Sequence, residues 1–160
     1  MNTGWLIGSA WLTFVLWALG ECFLATPRWR DRAWVRGWWS VGCALLTLHL
    51  GLGLEYHQWS QAAVVRDTAR QTEELVGWAW GGGVWFNYLL LAWWWVDCGR
   101  SWFVGSSWNR KGTGLWLRRG FFFFMWFNGA VVFAEGGRRI GALVVCFLLL
   151  GCWGRGKAES

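Results

Sequence analysis

Residues 38–57 read WWSVGCALLTLHLGLGLEYH, and from Trp38 to Leu54 the stretch contains no Asp, Glu, Lys or Arg. Wound as a helix it is about 30 Å long, the thickness of the hydrocarbon core of a bilayer. His49 lies inside it, and Glu55 and His57 stand at its end. Nowhere else do groups capable of acid–base or ligand chemistry lie within or against an apolar run of that length. This run sets the expectation for the chain: an all-α, polytopic membrane helix bundle.

The composition agrees with that reading. Charged residues make up 15% of the 160, where a soluble domain carries roughly 25%. The apolar residues fall in long blocks separated by basic patches, the pattern of spans and connectors. The chain is tryptophan-rich, with 19 Trp beside 11 Phe and 23 Gly. Its net charge of +6 does not point to nucleic acid, because the Arg residues sit in short connectors next to apolar blocks, where they set topology and meet anionic headgroups. The five Cys form no CxxC pair and lie in or beside the apolar runs, so they read as small apolar fillers rather than a disulfide framework or a zinc site.

Outward from the central run, five crossings are expected. Residues 5–24 form the first, with Glu21 as its single charge, and the basic start MNTGWLIGS lacks for a cleaved leader predicts that this span is retained. Residues 38–54 form the second. Residues 56–74 are polar and rich in helix formers, predicting an extramembrane helix in which Arg70 pairs with Glu73 or Glu74. Residues 76–96 form the third span, with Asn87 near its middle and Gly81, Gly82 and Gly83 inside it to admit a neighbouring backbone. A basic loop follows to Arg119. Residues 120–134 and 140–153 give two short crossings of about 22 Å each, joined by a tight turn at Gly136–Gly137.

The basic residues orient this arrangement. Arg28, Arg30, Arg32, Arg36, Arg100, Arg110, Lys111, Arg118, Arg119, Arg155 and Lys157 fall on one side, and Arg66, Arg70, Arg138 and Arg139 on the other. The richer side is cytoplasmic by the positive-inside rule, which places the N-terminus outside and the C-terminus in the cytoplasm. A multi-pass protein of a bacterial inner membrane is the expected setting.

Three hydrogen-bonding side chains, His49, Asn87 and Asn128, fall in the outer half of the bilayer on three helices. Facing lipid would cost each of them free energy, so they are expected to turn inward as a polar cluster, with Glu55, His57 and Glu135 as its outer mouth. Glu21 and Asp97 form a second group on the cytoplasmic side, expected to pair with Arg28, Arg100, Arg118 or Arg119 at the interface. No metal is expected: the two His stand roughly 12 Å apart along one helix and cannot ligate one ion together. No nucleophile elbow, phosphate loop or zinc-protease motif occurs in a fitting context.

These observations favour a non-catalytic structural or accessory component of a membrane assembly, with no catalytic residue and no cofactor. Its partners would be the lipid bilayer and other membrane proteins or a second copy of the chain, and not nucleic acid. One alternative is a small-solute or proton-linked transporter using His49, Asn87 and Asn128. The other is a redox subunit holding quinone or haem through His49 or His57.

Overall fold

The computed structural model describes residues 3–30, 32–105, 113–132, 134 and 136–158. Among these there are seven α-helices and no strand: α1 (Thr3–Ala25), α2 (Pro27–Arg30), α3 (Ala33–Tyr56), α4 (Gln61–Val76), α5 (Gly83–Val104), α6 (Thr113–Phe127) and α7 (Gly137–Ala158). A π-helical turn, Asn128–Val132, prolongs α6. Three helices are long and apolar enough to cross a membrane: α1, α3 and the Gly137–Gly154 part of α7.

Cross-helix contacts fix the direction of each long helix. Ser9 meets His49 while Trp38 Nε1 donates to Leu16 O at 3.0 Å, so α1 and α3 are antiparallel. Trp95 Nε1 donates to Thr47 Oγ1 at 3.2 Å and Trp102 Nε1 to Ser40 Oγ at 3.1 Å, which makes α3 and α5 antiparallel as well. Arg118 reaches both Glu21 and Asp97, and Trp126 stacks on Trp17 at 5.8 Å between centroids, setting α6 against α1 and α5. Cys22 and Cys152 bring their sulfurs to 2.8 Å, and Trp153 meets Trp116 at the start of α6, so α7, entered through the Gly136 turn, runs antiparallel to α6 and parallel to α1. The five long helices therefore alternate in direction along the chain.

The core is aromatic. Trp17, Trp39, Trp94, Phe14 and Phe122 are all fully buried where α1, α3, α5 and α6 meet. Such wide side chains need small neighbours. A methyl group at Gly42 would lie 2.8 Å from the Trp94 ring, and one at Gly20 would lie 3.0 Å from Trp39. These glycines are where α3 approaches α5 and where α1 approaches α3, as small residues do in packed membrane helices.

Outside the core the side chains sort by height. Around the middle of the bundle most large exposed residues are aliphatic or Phe, among them Leu12, Leu48, Leu89, Val144, Phe147 and Leu148, with Trp95 beside them. The other exposed Trp gather towards the two ends: Trp5, Trp59, Trp78 and Trp85 at one, Trp29, Trp34, Trp102 and Trp116 at the other. With Phe147 at 72% exposure and Trp5 at 71%, this surface is unlike that of a soluble bundle, whose outward faces are polar.

Between α3 and α4 the chain turns sharply through Gln58 (φ 53°) and Trp59 (φ 59°), two left-handed residues that carry side chains. Ser60 then caps α4, its hydroxyl accepting from Ala63 N at 3.3 Å, and Gly77 (φ 77°) ends α4 in the left-handed form that favours glycine. Helix α4 folds back along the start of α5, where Tyr88 Oη donates to Gln61 Oε1 at 2.7 Å. At Gly81 an added Cβ would sit 2.5 Å from Val65 O, so the backbone approach expected of the glycine run is made to α4.

Several helix limits differ from those the apolar count suggests. The third long helix spans Gly83–Val104 rather than 76–96: Gly81 and Gly82 lie in the turn before it, and Asp97–Arg100 are inside it instead of ending it. The last two helices are displaced from their apolar runs: α6 begins at Thr113 and gives way to the π-helical turn at Asn128, and α7 continues to Ala158. The turn at Gly136 is present, with φ 56° and Arg139 N donating to Gly136 O at 3.2 Å.

Candidate functional site

Towards the end of the bundle where α1 finishes and α6 begins, four charged side chains from three helices meet in a buried cluster. Glu21 on α1 is fully buried (0% exposed), as are Arg118 and Arg119 on α6 and Asp97 on α5 at 4%, 6% and 8%. Glu21 Oε1 accepts from Arg118 Nη2 at 2.8 Å and Oε2 from Arg119 Nε at 3.1 Å. Asp97 Oδ2 accepts from Arg118 Nη1 at 2.9 Å and from Trp39 Nε1 at 3.1 Å.

Aromatic faces enclose the two guanidiniums. Arg118 lies over Trp39 at 5.1 Å from the ring centroid, and Arg119 lies between Trp116 at 5.5 Å and Trp153 at 5.1 Å. Within these four side chains two carboxylates face two guanidiniums. Charge-assisted hydrogen bonds and cation–π contacts of this kind offset the large cost of placing ions in a dry interior. Chemically the cluster is a lock, joining α1, α5 and α6 through groups that no water reaches at Glu21.

Of the partners expected for Glu21 and Asp97, Arg118 and Arg119 make these contacts, and all four side chains are buried within the bundle. Arg118 and Arg119 look like loop cations in sequence because a basic loop precedes them. The signal that could have found them is local: LWLRRGFFFF sets two cations between apolar residues with no polar flank, matching the two acids embedded in other apolar blocks.

The other polar side chains line two adjoining cavities nearer the opposite end. The first, of about 210 Å³, lies among α1, α3, α5 and α6, with Trp11, Phe14 and Trp126 as aromatic wall and His49 and Asn87 as polar wall. The second, of about 370 Å³, is covered by α4 through Thr68, Gln71 and Thr72 and lined by Asn87 and Asn128. Asn87, Met125 and Gly129 belong to both walls. The π-helical turn supplies Asn128 and Gly129, in keeping with the frequent use of such turns at functional sites.

The cluster residues share these walls without bonding to one another. His49 Nδ1 lies 3.0 Å from Ser9 Oγ on α1. Asn128 Nδ2 donates to Phe124 O, one turn back in its own helix, at 2.7 Å. Asn87 is exposed to the cavities, and its amide makes no hydrogen bond among the described residues. Ser9 and the α4 residues carry no sequence signal for this role, since nothing in a lone Ser or in a polar helix marks a cavity wall.

Of the expected outer mouth, Glu55 is exposed at the end of α3, and His57 Nε2 stands 3.7 Å from Asp67 Oδ2 on α4. Glu135 lies outside the described residues. Arg70 binds Glu74 at 2.8 Å and Asp67 at 2.7 Å, and the hydrogen bond it donates to Asp67 raises the Arg70 pKa above its ordinary value. No group of three or more His, Cys, Asp or Glu among the described residues could hold a metal ion. No protein-family model matches the chain, and no curated protein or solved structure matches it significantly.

Proposed function

We propose that this chain is a multi-pass protein of a bacterial-type inner membrane, crossing five times and serving as a non-catalytic accessory component of a membrane assembly. Alternation of the five long helices, a mostly aliphatic exposed middle and a concentration of exposed Trp towards both ends support the five crossings. Helix α5 qualifies on length at about 33 Å. Its Trp residues and Asp97 lower its hydropathy, yet Asp97 is held by Arg118 and presents no bare charge to lipid.

With Arg118 and Arg119 withdrawn into the bundle, nine Lys/Arg remain for the cytoplasmic side against Arg66, Arg70, Arg138 and Arg139 outside, so the N-out orientation keeps its support.

The observation that carries the accessory role is Glu21, which has no exposure and gives each carboxylate oxygen to a different guanidinium. A carboxylate committed in this way is a poor proton carrier and a good clamp. Its test is reconstitution of the purified chain alone in liposomes: no proton flux above that of empty vesicles is expected, and flux abolished by Glu21→Gln would overturn the role. Topology is tested separately, with a single cysteine at Arg66 in a Cys-free background and a membrane-impermeant maleimide. Labelling is expected from outside intact cells, and labelling only after lysis reverses the orientation.

A second reading, a small-solute carrier built on His49, Asn87 and Asn128, draws its support from the two adjoining cavities those residues line.

A further inference from the structure

Ser9 Oγ stands 3.0 Å from Leu6 O, a carbonyl that can only accept, and 3.0 Å from His49 Nδ1. With the Ser9 hydroxyl proton placed on Leu6 O, Oγ accepts from His49 and Nδ1 carries the hydrogen, the arrangement that satisfies all three groups. In the neutral ring Nε2 is then a bare lone pair. That nitrogen makes no hydrogen bond among the described residues, and the ring lines the 210 Å³ cavity.

The rest of the wall narrows what could meet that lone pair. Trp11, Phe14 and Trp126 supply aromatic faces and Met125 a polarisable thioether, while Asn87 is the second polar group without a partner among the described residues. An apolar cavity of about 150 Å³ takes up benzene, so about 210 Å³ is enough for a substituted six-membered ring. Aromatic walls favour a flat guest through offset stacking, and few polar groups amid apolar walls are the usual make-up of a small-molecule site.

We infer that the His49 cavity binds a lipid-soluble aromatic compound bearing a hydroxyl group, of the phenol or hydroquinone class, whose O–H donates to His49 Nε2 while Asn87 meets a polar substituent. The adjoining cavity under α4 leaves room for an apolar tail beyond Asn87 and Met125. This goes beyond the accessory role, which stands on the Glu21 cluster at the other end of the bundle.

With only two His in the chain, labelling histidine with ¹⁵N in the full-length protein in phospholipid nanodiscs gives two rings, told apart with His57→Gln. Without ligand, Nδ1 of His49 is expected to be protonated and Nε2 bare. Added 4-tert-butylphenol should shift the Nε2 resonance to saturation, and 4-tert-butylanisole, nearly the same shape without the donor, should bind about tenfold more weakly at equal mole fraction in lipid, the worth of one hydrogen bond. His49→Phe keeps an aromatic ring and should abolish that preference. A proton on Nε2 in the unliganded protein, no saturable shift with the phenol, equal binding of phenol and ether, or a preference surviving in His49→Phe would each overturn the assignment. None of these results bears on proton flux or topology.

Discussion

Replacing Glu21 by Gln keeps the size of the side chain and removes one of two negative charges facing two guanidiniums. The oxygens of Glu21 stand 2.8 Å from Arg118 and 3.1 Å from Arg119, with exposures of 0%, 4% and 6% for the three residues. Gln offers one acceptor oxygen, so its amide NH₂ is forced against a guanidinium, donor to donor. One cation is then left without its counter-charge in a dry interior. Removing one partner of a buried pair costs about 3–5 kcal/mol, mostly because of the charge left behind. Adding Arg119→Met should relieve this, since Met fills the space between Trp116 and Trp153 and restores neutrality. The double substitution is expected to be more stable than Glu21→Gln alone by at least about 2 kcal/mol, a coupling that a double-mutant cycle isolates. The assay is reversible unfolding by SDS in mixed micelles, followed by far-UV circular dichroism and Trp fluorescence. If Glu21→Gln unfolds within about 1 kcal/mol of the parent, or if the two substitutions are simply additive, the cluster does not clamp the bundle.

Three other substitutions or treatments probe separate parts of the fold. Gly42→Ala is expected to lose about 1–3 kcal/mol in the same unfolding assay, since its methyl would meet Trp94 at 2.8 Å, whereas Gly37→Ala on the same helix, with open space around it, should be neutral or stabilising; equal effects would refute the α3–α5 approach. Mild oxidation with copper phenanthroline should join Cys22 to Cys152, now free thiols 2.8 Å apart, giving a cross-linked peptide pair by mass spectrometry that Cys22→Ser eliminates. Failure of that cross-link would place α7 elsewhere. Gly77→Ala should destabilise the end of α4 by about 1 kcal/mol because φ is 77° there, seen as faster amide exchange in 73–77; unchanged exchange would contradict the left-handed cap.

Much of the helical framework was legible, for reasons that are easy to state. Apolar runs of membrane length mark α1 and α3, and polar helix formers between Ser60 and Gly77 mark α4 with its Arg70–Glu74 pair. Gly136 and Gly137 mark the last turn. The start of α5 was hidden because Trp78 and Trp80 make the apolar run look continuous across Gly81–Gly83, although the chain turns there. The burial of Arg118 and Arg119 was masked by the basic loop before them.

Two features have no local signal. Cys22 and Cys152 touch across 130 positions, and Ser9 reaches His49 across 40, so only the helix arrangement reveals either. Similarly, His49, Asn87 and Asn128 could be assigned to comparable heights by counting residues, but whether they bond to each other depends on helix rotation, which a count along the axis does not contain.

The cluster also constrains how the protein is made. Glu21 leaves the ribosome 97 residues before Arg118, an interval of roughly 5–20 s at about 5–20 residues per second. Through that time its nearest cations along the chain are Arg28 and Arg30, beyond the bend at Pro27. Glu21 meets its two guanidinium partners only when α6 arrives. A nascent chain halted before Arg118 would leave the Glu21 carboxylate without them, and truncated products should be the ones that quality control removes.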